Sequence, residues 1–559
     1  MNQTPPTGSG SDDLRAVIEQ LSKRLSRVEK QLGIAEKSSN KLPEVTPIHP
    51  GVESSTGKVR EQESLEFEVG QTWFAVIGII ALAVGMAFVL TLKYENWHPA
   101  LPGVCGYVMC GILFALVRLS RTSFEVVSIY LRVAGMLLLF LTTVRFFYFG
   151  EVHALDVNSL IGRGLFIVVL AINLGIGWVR KSSPLFILAL FTGLATALAI
   201  GSTWFVLILI TGLSAIAVYV QVTQNWRRIV PVMFPLTVVA YVIWAVGNPL
   251  LGHEFKVDST TPAAIFFILL WTIMYSSAVI LRREREREDS LVQISGLLMC
   301  GLGFGTFFLH ALIAYDSIFL ISHVAASIVF LSIAVVYWIR EESSFSTFIY
   351  GMTGYAGLSF ALMKGFAVPQ VFVALSLQSL VVIATAIWFR SRFIIVANWL
   401  IFLGIIIAYI VLTETEIGLS LGFGIVALVS ARVLNWQQNR LVLRTQFMRV
   451  AYLAITFCVF PYGFYYLAPE AYLAVAWVGL SLLYYVLSFF LHNRRYRWMG
   501  HMTLLLTVLY VMVVGTARME TTHRIISFLV LGTILLVVSL VFTQLKSKRL
   551  GESRKKDQP

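Results

Sequence analysis

Roughly eighteen apolar segments follow one another from Trp73 to Leu545. Each is about the 20 residues that a helix needs to cross a bilayer. Lipid offers no hydrogen bonds, so every backbone amide in such a segment must be satisfied within its own helix. The runs are continuous, whereas the strands of a membrane barrel alternate. The expectation is an all-α, polytopic transmembrane protein of about 18 spans, running from Trp73–Leu92 to Ile525–Leu545. Composition agrees: 13% of residues are charged, about half the share of a soluble domain.

The loops between these segments alternate in charge. Even-numbered loops hold nineteen Lys and Arg residues and odd-numbered loops six. Lys and Arg concentrate in cytoplasmic loops, so the even loops and both termini are expected in the cytoplasm. The membrane is expected to be the bacterial inner membrane. The odd loops carry acids such as Glu95, Asp156, Glu254 and Glu470, and none is long enough for a folded domain. The net charge of +13 therefore reads as contact with anionic headgroups. Nucleic acid is not an expected partner, because no basic domain lies outside the membrane.

Four parts follow: residues 1–35, a helix; 36–72, a flexible linker; 73–545, the membrane domain; and 546–559, a basic tail. In the first, Leu14, Ile18, Leu21, Leu25, Val28 and Leu32 form an a/d heptad seam. The expected role is a cytoplasmic coiled coil that makes a homo-oligomer; a short amphipathic helix is the alternative. The linker holds Pro43, Pro47 and Pro50 among Ser, Gly and Thr, a composition that stays unfolded. The first apolar segment begins only after about seventy polar residues, so a retained anchor is expected rather than a cleaved signal. Cys105, Cys110, Cys300 and Cys458 all lie in apolar segments and read as small buried residues.

Two strings carry a family resemblance. Around the first span, FAVIGIIALAVGMAFVLTLKYENWHPALPGV contains Ile77-Gly78, Gly85, Phe88 and Lys93-Tyr94. Near the end stand Arg524-Ile525-Ile526-Ser527-Phe528, Gly532 and Ser539. Together they resemble a family of large bacterial membrane proteins of unknown function. That resemblance implies an N-terminal coil, a Pro-rich linker and very many spans. Relatives are usually longer and carry a Lys and an Asp before the closing motif, where this chain has Tyr510 and Gly515. The resemblance implies architecture and no activity.

Ionisable groups inside spans are costly and mark candidate function. Arg132 and Arg145 fall in the third span, and Glu151 follows Arg145 within reach. The pair reads as a structural bridge or as a site for an anionic headgroup or solute. His310, Asp316 and His323 flank one short odd loop. Histidine titrates near neutral pH, so this group is a candidate for a proton-coupled step; interfacial anchoring is the alternative. Gly301–Gly305 and Gly418–Gly422 have the small-xxx-small spacing of close helix contacts.

No phosphate loop, zinc-protease or nucleophile-elbow motif is present, and no cofactor or metal is expected. Three functions remain open. The leading one is a transporter or flippase acting on a lipid-linked or anionic small molecule. The others are an envelope scaffold organised by the coil, and an integral membrane lipid or glycan enzyme.

Overall fold

The computed structural model describes residues 81, 84–86, 98 and 100–540, except 120–124, 150–155, 158, 283–288, 342, 413–418, 437–445, 471 and 516–524. Two compact units divide at Phe74 and Ala75. The first lies outside the described residues, and with it the seam from Leu14 to Leu32. Everything below concerns the second unit.

Among the described residues that unit is helical throughout, with no strand. The helices are α1 (Leu101–Leu119), α2 (Glu125–Tyr148), α3 (Leu160–Val179), α4 (Ser183–Ile200), α5 (Thr203–Gln224) and α6 (Ile229–Ala245). Then come α7 (Ala264–Ile280), α8 (Ser290–Ala314), α9 (Phe319–Glu341), α10 (Ser344–Gly365), α11 (Gln370–Trp388) and α12 (Arg392–Leu412). Last are α13 (Leu419–Trp436), α14 (Gln446–Leu467), α15 (Leu473–Leu491), α16 (Arg494–Tyr510) and α17 (Ile525–Leu540). Every apolar segment expected from Leu101 onward holds one of these helices. Among the described residues, twelve helices are long and apolar enough to cross a membrane, and four shorter apolar ones accompany them. The chain is a multi-pass membrane protein.

Two large cores hold the helices together. One runs from Leu170 to Tyr350 and is filled by Trp271, Tyr241, Tyr275, Phe307 and Phe330. The other runs from Tyr355 to Met499. In the first core α7 buries most of its surface, with Trp271 and Tyr275 fully covered, and keeps one stripe, Phe266, Leu270 and Ile273, exposed. Lipid supplies little hydrophobic drive between helices, so packing and interhelical hydrogen bonds carry the association. Such bonds recur: Trp271 donates to Thr211 at 3.0 Å, Tyr355 meets Thr385 at 2.6 Å, and Asn398 donates to Tyr452 at 3.0 Å.

The spacing of Gly301 and Gly305 does not produce the expected close contact. Both glycines face open space, and Gly303 between them packs on the Phe234 ring. Gly303 points to the opposite side of α8 from the outer pair, and a π turn, Met299–Gly303, interrupts the helix at this point. A Cβ on Gly422 would likewise meet nothing within 4 Å, and Gly418 lies outside the described residues.

The α5–α6 turn, the ends of α7 and α9 and the start of α8 meet at an Arg-rich end, joined by ion pairs. Arg282 Nη2 lies 2.8 Å from Glu341 Oε2, with both side chains nearly buried. Arg227 lies 3.7 Å from Asp289, whose carboxylate also caps α8 by accepting from the Leu291 amide. The opposite, Arg-poor end is built differently.

Candidate functional site

Helices α6 and α7 have 17 residues each, about 25 Å of helix, slightly short of the hydrocarbon core of about 30 Å. The chain between them fills the remaining depth with polar structure at the Arg-poor end. It leaves α6 through Gly247 and Asn248, both at positive φ. It then folds back so that its own amides satisfy the free carbonyls of the helix end. Lys256 N donates to Val246 O at 3.1 Å, and Asp258 N donates to Ala245 O at 2.7 Å. A Cβ on Gly247 would stand 2.7 Å from the Glu254 carbonyl, so the fold-back needs glycine there.

This loop and the α4–α5 turn enclose a cavity of about 300 Å³. Trp244 forms its apolar wall, and Asn248, His253, Lys256, Asp258 and Thr260 supply polar groups. Asn248 is 4% exposed. Its Nδ2 donates to Leu198 O at 2.7 Å, tying α6 to the end of α4. Its Oδ1 is buried with no hydrogen-bond partner. An unpaired buried amide oxygen costs about 1–3 kcal/mol. Lys256 and His253 are exposed at the rim.

Behind the cavity runs a hydrogen-bond network. His310 Nε2 lies 3.0 Å from the Asp258 carbonyl. A carbonyl only accepts, so Nε2 carries a proton, and in the neutral ring Nδ1 is the acceptor. Tyr241 Oη, 2.7 Å away, therefore donates to Nδ1. Asp258 Oδ1 accepts from the Thr260 hydroxyl at 2.6 Å. Its Oδ2 faces the Tyr315 hydroxyl at 3.2 Å, which also faces Thr261 O at 3.0 Å. Burial, and then the Asp258 carboxylate, raise the Tyr315 phenol above the usual tyrosine range. The phenol therefore remains a donor at physiological pH.

Further buried polar pairs continue toward the Arg-rich end. Thr237, one turn before Tyr241, meets Tyr275 at 3.0 Å. Ser276 meets Tyr350 at 3.0 Å, and the Tyr350 and Tyr337 rings stack at 5.1 Å. One turn beyond Tyr337 stands Glu341 with its Arg282 partner. The first core is thus threaded by hydroxyls between the cavity and the buried ion pair.

The residues singled out from the sequence are placed as follows. His310 belongs to the network. Asp316 does not; it is exposed and paired with Lys364 at 2.6 Å. His323 is fully buried among Phe304, Phe307, Phe308, Phe319 and Phe360, with Nδ1 2.8 Å from Phe319 O. The three do not converge. Among the described residues no cluster of three His, Cys, Asp or Glu is placed to hold a metal. Arg132 donates to Ser128 at 2.7 Å within α2. Arg145 is 5% exposed, and Glu151, its expected partner, lies outside the described residues. Sequence reading missed Tyr241, Asn248 and Tyr315, and treated Lys256 and Asp258 only as loop charges. The available signals were Gly247-Asn248-Pro249, a turn-forming triplet, and the polar run Asp258-Ser259-Thr260-Thr261.

Comparison with protein-family models, with curated proteins and with solved structures finds no match in any of the three.

Proposed function

We propose that the protein is a transporter- or flippase-like membrane protein that loads a small polar solute or headgroup in the cavity above α6 and α7. The cavity carries this reading: it is lined by the apolar Trp244 and by the polar side chains of Asn248, His253, Lys256, Asp258 and Thr260. Pockets that bind small molecules combine apolar walls with a few placed polar groups in this way. The hydroxyls beneath it and the ion pairs at the far end suit a site open on one side and closed on the other.

The topology completing this reading has about eighteen spans, both termini in the cytoplasm and the cavity on the outer face of the inner membrane, as the loop charges favour. The N-terminal seam would pair copies of the chain. Membership of the family of large bacterial membrane proteins rests on the first and last spans and bears on architecture alone.

The test is solute binding and uptake by the full chain in liposomes. The panel is neutral sugars, amino acids and sugar phosphates. At least one class should raise the unfolding temperature and enter the liposomes, and Asn248→Ala and Lys256→Ala should each lower uptake about tenfold, the effect of roughly 1.4 kcal/mol. Uptake at the level of empty liposomes across the panel, with no shift in unfolding temperature, would sink the reading.

A further inference from the structure

The geometry points to a binding site for an anionic phospholipid between α14 and α16 at the Arg-rich end. Val450, Leu453, Ala454 and Phe457 recur at the i, i+3, i+4, i+7 spacing that lines one face of a helix. Arg495, Trp498, Met499 and Met502 repeat that spacing on α16. The two stripes face each other across a groove of about 370 Å³. Val450, Trp498 and Met502 are 43%, 54% and 42% exposed, so the groove opens to the surroundings of the helix bundle, which in a membrane is lipid.

The groove has a charged head and an apolar body. Both helices begin at the Arg-rich end, with Arg449 next to Val450 and Arg495 at the start of the α16 stripe. The Arg495 charge acts directly on Arg449, so two like charges stand together. Arg449 donates to the Asn435 side-chain oxygen. Its Nε and the Nη1 of Arg495 are buried with no hydrogen-bond partner. Among the described residues no carboxylate pairs with either arginine. From Leu419 to Gly515 the sequence holds seven arginines and one carboxylate, Glu470, which follows the far end of α14. A phosphodiester meets this need, since guanidinium groups bind phosphate oxygens in pairs and helix N-termini favour anions. An acyl chain attached to that phosphate would run down the groove over Leu453, Phe457 and Met502. Trp498 sits at the mouth, where tryptophan favours the headgroup level.

The test uses the full chain, stripped of lipid by detergent exchange. It is mixed with phosphatidylglycerol or with phosphatidylcholine of the same acyl chains, and bound lipid is counted by native mass spectrometry. Phosphatidylglycerol should be retained over phosphatidylcholine. Arg449→Gln and Arg495→Gln should each weaken its retention roughly fivefold, and Arg495→Lys should keep most of it. Ala454→Trp fills the groove, leaves both arginines and should weaken retention to a similar degree. Unfolding temperatures matching the unmodified chain identify variants that fold. Equal retention of both lipids, or no change in the folded glutamine variants, would overturn the site. Displacement of phosphatidylglycerol by inorganic phosphate, with Ala454→Trp silent, would overturn the lipid assignment in favour of a bare anion site.

Discussion

At the scale of single residues, the site is a matter of which protons sit where. As a neutral ring, His310 satisfies a carbonyl and a phenol at once in the Nε2–H tautomer. Tyr315 holds the same loop through one hydroxyl proton shared between Asp258 and Thr261. Its phenol is raised by burial and by the Asp258 carboxylate, so the folded state favours the protonated form. The stabilisation is complete below the usual tyrosine value near about 10 and is lost as pH climbs through the folded value. Tyr315→Phe should therefore cost about 1–2 kcal/mol at pH 8. It should also flatten the loss of stability between about pH 10 and 12. Unfolding temperatures of both proteins across that range test this; parallel curves would show that the phenol does not hold the loop. None of this was legible beforehand. His310 stood out because histidine is rare in a span, but its partner Asp258 is 52 residues away. No periodicity links a helix residue to a loop carbonyl, and the same blindness grouped His310 with Asp316 and His323.

At the scale of elements, the apolar segments from Leu101 onward were legible because lipid allows little besides helix. Interruptions of a helix were not. The π turn at Met299–Gly303 leaves the apolar run intact, so hydropathy cannot detect it, and the spacing does not tell that Gly303 rather than the outer pair meets α6. Such turns often sit at functional positions, and this one lies on the helix that carries His310. A Cβ at Gly303 would stand 2.8 Å from the Phe234 ring tip. Gly303→Ala should therefore destabilise the first core by about 1–3 kcal/mol, the usual cost of overpacking. Gly301→Ala and Gly305→Ala, facing open space, should change it little. Thermal unfolding of the three variants separates this from the small-xxx-small reading, under which the outer pair would be the sensitive one.

At the scale of the whole molecule, the two ends differ in kind. At one, the nearly buried Arg282–Glu341 pair joins the ends of α7 and α9, and the Arg227–Asp289 pair joins the α5–α6 turn to the start of α8. At the other, a folded-back loop encloses a polar cavity. Removing one partner of a buried pair is costly, about 3–5 kcal/mol, so the Arg-rich end resists opening while the Arg-poor end presents a formed site. Charge counting along the chain anticipated that the ends would differ in arginine. It did not anticipate the cavity, because the short helices α6 and α7 look like ordinary spans until their rise is compared with the bilayer. The orientation has a direct test in a background lacking the four native cysteines. Ser259→Cys, exposed in the cavity loop, should react with a membrane-impermeant maleimide on intact spheroplasts. Arg228→Cys, exposed between α5 and α6, should react only after permeabilisation. The reverse pattern would place the cavity in the cytoplasm, and the solute it loads would then come from inside the cell.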